Sequence, residues 1–227
     1  GDSSVYQYAW QTSASGLAGV WARENTREAI WDALARKDVF ATTGTRLRVR
    51  VFAGWEFVAE DLNRSDFARH GYDSGVPMGG DLAAAPEGIA PTFLVRALRD
   101  ADGANLDRVQ IIKVWPNPAN GLPMEKIYDV AWSDDRKPDA NTGKLPPVGN
   151  TVDVKKATYT NDIGDTQLST VWTDPDFDPS LPAVYYVRVL EIPTPRWSTY
   201  DAAALGVPVP RTVPTTIQER AWSSPIW

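Results

Sequence analysis

The feature that most constrains the fold is a succession of short strand-like segments separated by proline and glycine instead of by helices. Residues 46–51 alternate polar and apolar side chains with period two, as a half-buried strand does. Further segments rich in β-branched and aromatic residues follow at 92–98, 107–115, 126–132, 167–172, 184–192 and 219–223. Parallel pairing would need crossover helices between them. The pattern therefore indicates an antiparallel sandwich or barrel, and we favour a mainly β, antiparallel β-sandwich of about seven or more strands.

One helix is predicted, close to the start of the chain, over residues 25–36. Its apolar side chains recur at helical spacing, and Asn25 followed three residues later by Glu28 matches a capping box. Residues 62–69 show a weaker helical pattern. The predicted fold class is thus a β-sandwich with one N-terminal α-helix and long loops.

The predicted loops are long in several places. Residues 56–91, 133–149 and 194–214 show little regular pattern, and loops of this length in a compact domain are usually functional or interfacial. The short segment 100–103, Asp-Ala-Asp-Gly, is predicted to be a hairpin tip. The glycine-rich segment 75–81 lacks the lysine of a phosphate-binding loop, so a close approach of its backbone to another element is favoured.

Few side chains suited to catalysis are present, since the 227 residues include one histidine, His70, and no cysteine. A Ser-His-Asp triad would have to use His70 as its base, and no Gly-x-Ser-x-Gly, Ser-x-x-Lys or His-Glu-x-x-His motif occurs. A formal net charge of −6 with scattered basic residues argues against nucleic acid as a partner. No apolar run approaches the roughly 20 residues that span a bilayer, so no membrane partner is predicted.

Arginines form the clearest candidate binding site. Arg46, Arg48 and Arg50 alternate along one predicted strand, so the pleat places them on one face about 7 Å apart. Guanidinium groups bind phosphate or sulfate oxygens bidentately; a solvated face paired with acids is the alternative. Arg196 and Trp197 lie on a proline-flanked loop that can present both side chains to a neighbouring site.

Asp174, Asp176 and Asp178 alternate as oxygen ligands do in calcium loops. The glycine expected at the sixth position is Pro179, and the bidentate glutamate expected at the twelfth is Tyr185. A surface turn is therefore favoured, and a structural calcium ion stays open as the alternative.

The chain has ten tryptophans, which is many for its length. Trp115, Trp132 and Trp172 lie in predicted strands. Their large apolar area favours a role in the core or beneath loops, and a platform for sugars is the alternative.

Much of the sequence resembles the C-terminal part of a bacterial family, the domain of unknown function 3604. The similarity lies in residues 16–57, 71–82, 103–115 and 185–202, which include ATTGTR, GYDSGVPMGGDL and EIPTPRWSTYDA. Longer members of that family are similar to metal-dependent hydrolases of the polymerase and histidinol phosphatase (PHP) superfamily. The distorted α/β barrel of that superfamily binds metals through clustered His, Asp and Glu residues.

The resemblance implies that residues 1–45 correspond to the closing helix and strand of a PHP-like barrel and that residues 46–227 form an appended β-domain. The superfamily's His-x-His motif and its later Asp-x-His ligand have no counterpart here. We therefore expect a C-terminal fragment without a cofactor of its own, whose partner is an N-terminal PHP-like domain that binds the divalent metal. Arg46 and Arg196 are then candidates to line an oxyanion site that this barrel completes.

The expected function is that of a non-catalytic C-terminal β-domain of a larger metal-dependent hydrolase that acts on small phosphate or sulfate esters, inactive by itself. A carbohydrate- or protein-binding β-sandwich module is the alternative, for which the tryptophans and long loops argue. A third interpretation is a structural domain that caps the barrel and shapes its entrance. The family's bacterial setting suggests a periplasmic or secreted location.

Overall fold

A computed structural model describes Tyr8, Gln11, Thr12 and residues 15–227. The strands in these residues are β1 (Leu17–Val20), β2 (Val39–Thr42), β3 (Arg48–Gly54), β4 (Gly75–Pro77), β5 (Thr92–Leu98), β6 (Leu106–Pro116), β7 (Pro123–Trp132), β8 (Gln167–Thr173), β9 (Val184–Glu191), β10 (Thr194–Pro195), β11 (Thr216–Ile217) and β12 (Arg220–Ser223). The helices are α1 (Arg27–Ala35), α2 (Phe67–Ser74) and α3 (Trp197–Leu205), with a 3₁₀ turn at Ala59–Asn63.

The strands form two main sheets. One has six strands in the order β1-β2-β12-β9-β6-β7, and the other has four in the order β4-β3-β5-β8. Within both sheets, neighbouring strands pair antiparallel, and so do the strands of the separate short pair β10-β11. The prediction of a mainly β, antiparallel fold is thereby confirmed. Strands from both predicted segments, 1–45 and 46–227, share the larger sheet, because β2 pairs with β12.

The main core lies between the two sheets and follows the period-two pattern of β3. Val49 and Val51 of β3 point inward and pack with Val95 of β5, and from the larger sheet Ile111 and Val187 enter the same cluster. All five are 2% exposed or less. Burying a side chain of this size stabilises the fold by about 1.5–3 kcal/mol. The inward-facing residues Val49 and Val51 therefore fix the register of β3.

The face of β3 that points away from the main core is only partly covered by other elements. Phe52 and Leu94 pack beneath Phe57 and Phe67, which the segment around the 3₁₀ turn and helix α2 bring onto this face. This second cluster is small, and it leaves the end of the face that carries Arg48 open. An arginine-bearing part of the sheet surface therefore lies next to an apolar cluster.

Three α-helices are found in the described residues where one was predicted. Helix α1 begins at Arg27, and Thr26, rather than Asn25, is its N-cap and accepts from the Ala29 amide at 3.3 Å. Helix α3 lies in the segment predicted as a loop, and its C-cap is Gly206, which has a φ of 65°. None of the helices in the described part of the chain has the length and apolar character needed to cross a membrane.

Two segments with predicted turn geometry show opposite outcomes. The turn at residues 100–103 connects β5 to β6, which lie in different sheets, so the hairpin prediction is wrong. The predicted close backbone approach at 75–81 is confirmed. Gly79 has a φ of +86°, and a Cβ there would lie 2.3 Å from the carbonyl oxygen of Lys37.

Candidate functional site

Three arginines line a depression on the outer face of the four-stranded sheet. Arg48 and Arg50 lie two residues apart on β3, and Arg96 of β5 is directly opposite Arg50 in the register. Side chains at these positions project to the same face of the sheet. The depression measures about 270 Å³, and Trp21 and Phe67 form apolar parts of its wall. We call it the arginine depression.

Arg50 is held in place by aromatic and hydrogen-bonding contacts. Its guanidinium carbon lies 4.2 Å from the ring centroid of Trp21. Its Nη2 donates to the Tyr72 hydroxyl at 2.9 Å, and that hydroxyl donates to Asp38 at 2.5 Å. Burial raises the pKa of Asp38, although the Tyr72 hydrogen bond and the charge of Arg50 act in the opposite direction. The chain of contacts fixes the guanidinium without placing a carboxylate directly against it.

Arg96 is oriented in a similar way. Its guanidinium carbon lies 3.9 Å from the ring centroid of Phe67, and its Nη2 donates to the backbone oxygen of Leu62. Burial lowers the pKa of Arg96 from its ordinary value. Desolvation of this kind makes a cation bind an anion more strongly, because water competes less for both charges.

Two arginines of the depression each have a hydrogen-bond donor without a partner in the described residues. The Nε atoms of Arg50 and Arg96 are buried and have no acceptor among the described residues. Within that same part of the chain, neither they nor Arg48 forms an ion pair within 4.0 Å. A buried donor without a partner costs about 1–3 kcal/mol, and neighbouring cations repel one another. A bound oxyanion would relieve the repulsion between the neighbouring cations.

The predicted arginine ladder is divided by the structure. Arg46 has a side chain that is 72% exposed and lies 3.5 Å from Asp100 and 3.4 Å from Asp102, which is the acid-paired arrangement. Arg48 and Arg50 belong to the arginine depression. Arg96 was not identified from the sequence, in which the available signal was the single charged residue in the strand TFLVRAL.

Arg196 and Trp197 lie elsewhere, at the start of α3. Arg196 is 7% exposed, and it donates from Nη1 to Ser198 Oγ at 2.8 Å and from Nη2 to the Thr12 oxygen at 2.6 Å. Trp197 Nε1 donates to the same oxygen at 3.0 Å. The structure brings these two side chains together around Thr12, and neither lines the arginine depression.

Two of the three aspartates considered as alternative calcium ligands are bound by lysine and tyrosine side chains. Asp174 accepts from Lys113 Nζ at 2.6 Å and from the Tyr185 hydroxyl at 2.7 Å. Asp176 accepts from Lys126 and Tyr128. Among the described residues, no group of three or more acids and histidines is arranged to hold a metal ion. Lysine ammonium groups thus balance the charges of Asp174 and Asp176, and these two residues do not fit a calcium site.

The fold and the site define an antiparallel β-sandwich with a cationic depression on its outer face. A family model described as "Protein of unknown function (DUF3604)" matches residues 2–227, and the chain belongs to this family. Comparison with curated proteins and with solved structures gave no match. The function is therefore argued from the geometry of the site.

Proposed function

We propose that this chain is an anion-binding, non-catalytic β-domain of a larger metal-dependent hydrolase that acts on phosphate or sulfate esters. The observation that carries the proposal is the arginine depression. In a chain of net charge −6, three neighbouring guanidinium groups have no acid within 4.0 Å in the described residues. Two of them also bury an Nε–H donor that has no acceptor there.

The chemistry of the depression suits a tetrahedral oxyanion. A guanidinium presents a planar fork of donors that matches phosphate or sulfate oxygens bidentately. The ring contacts of Arg50 with Trp21 and of Arg96 with Phe67 fix the direction of both forks before a ligand arrives, which reduces the entropy lost on binding. In this proposal the depression binds and orients the anionic group of the ester.

Bond cleavage is assigned to another part of the parent protein. The described residues do not offer a three-ligand metal group, so no step of the reaction is placed on them. The resemblance of longer family members to PHP hydrolases supports a divalent metal in a separate barrel. The exposed face of α1, with Trp31 69% and Leu34 45% exposed, is a candidate contact surface for that barrel.

Calorimetric titration with inorganic phosphate and with sulfate, in a chloride background of constant ionic strength, tests the binding step. We expect Arg48→Gln and Arg96→Gln each to weaken binding roughly tenfold or more, because each removes a charge-assisted hydrogen bond. Arg46→Gln is the matched control. Arg46 belongs to the same alternating series of arginines as Arg48 and Arg50, but it is paired with Asp100 and Asp102. Absence of binding to the unmodified chain, or equal losses in all three variants, would contradict the proposal.

The non-catalytic assignment has its own test. The chain is incubated with p-nitrophenyl phosphate and p-nitrophenyl sulfate in the presence of Mg²⁺, Mn²⁺ or Zn²⁺, and p-nitrophenol release is followed. We expect no metal-dependent turnover. Turnover that scales with chain concentration and disappears with chelator would show that the chain itself holds the catalytic metal.

A further inference from the structure

A second depression lies at one end of the sandwich, away from the arginines. It measures about 360 Å³ and is lined by Lys113 and Trp115 of β6, by Lys126 of β7 and by Asp176 and Asp178 of the loop after β8. This volume is within the roughly 300–1,000 Å³ that is typical of small-molecule sites. The lining combines two ammonium groups, two carboxylates and one indole with the apolar side chains of Leu181 and Ala183.

The carboxylates of this lining are held in place by hydrogen bonds, yet each keeps one oxygen that can accept a further hydrogen bond. The Tyr128 hydroxyl and Lys126 Nζ both donate to Oδ2 of Asp176, at 2.6 and 2.5 Å, which leaves Oδ1 without a donor in the described part of the chain. The Ser180 amide and hydroxyl both donate to Oδ1 of Asp178, at 2.9 and 2.6 Å, which leaves Oδ2 similarly open. The site thus offers two fixed acceptors beside the partly exposed ammonium of Lys126.

Trp115 connects this polar depression to an apolar one. The half-buried indole also lines a neighbouring depression of about 410 Å³, whose other walls include Pro123, Pro182 and Trp227. Trp227 is 55% exposed, and its backbone is fixed by hydrogen bonds with Gly80 and Leu82. Two aromatic side chains therefore border one continuous surface that is polar at one end and apolar at the other.

We infer that this surface binds a neutral oligosaccharide. A sugar ring has an apolar face of C–H groups that packs on an indole, and an edge of hydroxyls that donate and accept at once. Fixed carboxylate acceptors beside an ammonium donor match such an edge. Lys113 is paired with the buried Asp174 and Lys126 with Asp176, so among the described residues the lining presents no unpaired ammonium that would attract an anion. Two adjoining depressions that share Trp115 can take two successive sugar units.

The inference does not depend on the arginine depression, and a direct binding experiment tests it. The chain is titrated calorimetrically with neutral hexasaccharides, namely cellohexaose, xylohexaose, laminarihexaose, maltohexaose, mannohexaose and chitohexaose. We expect at least one of them to bind. We expect Trp115→Ala to weaken that binding roughly tenfold or more, through loss of the stacking surface. Asp178→Asn, which removes a charge at an exposed position, should weaken it by a smaller factor.

Trp31→Ala is the control, because Trp31 is 69% exposed on α1 and outside both depressions. It should leave sugar binding unchanged. The inference is overturned if no neutral hexasaccharide binds, or if Trp115→Ala and Trp31→Ala bind as the unmodified chain does. Circular dichroism of each variant verifies that the fold is retained.

Discussion

At the scale of single residues, Glu191 at the end of β9 carries an acidic group into the interior of the protein. It is 1% exposed. Burial raises its pKa to about 7, the Thr45 side chain opposes this rise, and the carboxylate charge of Glu219 adds to it more weakly. The ionised form of Glu191 is therefore disfavoured in the folded chain but not in the unfolded one.

This difference predicts a pH-dependent stability that Glu191→Gln removes. The folded chain keeps the proton up to about pH 7, whereas the unfolded chain loses it near the ordinary value of 4.5. The favourable contribution is thus fully present below 4.5 and is lost as the pH rises to 7. Urea unfolding at pH 5 and pH 8 should show the unmodified chain losing up to about 3 kcal/mol relative to Glu191→Gln, since one pKa unit is worth about 1.4 kcal/mol. Parallel pH profiles for the two chains would contradict this.

A second prediction at this scale concerns the buried pair of Lys113 and Asp174, whose side chains are 6% and 0% exposed. Asp174→Ala leaves the ammonium buried without its acid, which should cost about 3–5 kcal/mol in the free energy of unfolding. Lys126→Ala breaks the neighbouring ion pair with Asp176, which is about half exposed on both sides, and should cost less than about 1 kcal/mol. Both losses are measured by urea unfolding. Similar losses of unfolding free energy in the two variants would show that burial does not make the Lys113–Asp174 pair more important for stability than the exposed pair.

At the scale of elements, local periodicity predicted the strands better than it predicted what they pair with. The segment 184–192 is closely matched by β9 (Val184–Glu191), because alternating side chains report which face is buried. Arg96 illustrates the limit. Its place opposite Arg50 depends on the pairing of β3 with β5, and the chain between those strands gives no signal of register.

Helix α3 was missed for a different reason. Its sequence WSTYDAAAL has no one-sided apolar stripe, so the pattern that indicates an amphipathic helix is absent. The helix is positioned instead by tertiary contacts, since Thr199 Oγ1 donates to the Thr215 oxygen at 2.7 Å. Likewise, the segment 100–103 has turn-forming residues, but only the three-dimensional pairing shows that it joins two sheets.

The close approach at Gly79 gives a prediction for the connection after β4. Gly79 and Gly88 both have positive φ, at +86° and +72°, but a Cβ meets the Lys37 backbone at 2.3 Å only at Gly79. Gly88→Ala should cost about 1–2 kcal/mol from its backbone conformation alone. Gly79→Ala should cost more, because the backbone of Lys37 must also shift. Thermal unfolding of the two variants measures the extra destabilisation caused by the contact with Lys37. Equal losses of stability in the two variants would show that this contact has no effect.

At the scale of the whole molecule, the sandwich separates its surfaces by chemistry. The outer face of the four-stranded sheet carries the arginine depression, the loop after β8 contributes to the polar depression beside Trp115, and α1 presents an apolar face. The arginine depression is locally positive, whereas the chain as a whole has a formal net charge of −6. Because the three surfaces are separate, substitutions can test the proposed anion binding, the inferred sugar binding and the proposed contact with another domain one at a time.

The apolar face of α1 supplies the prediction at this scale. Because Trp31 is 69% exposed, Trp31→Glu should change the free energy of unfolding of this chain by less than about 0.5 kcal/mol. If α1 contacts a barrel domain in the parent polypeptide, the same substitution should expose the junction and increase its cleavage by a protease severalfold. Leu205→Glu on α3 is the matched control, an apolar helical residue that is 73% exposed. Equal cleavage of the Trp31→Glu and Leu205→Glu proteins would place the contact between domains on a surface other than α1.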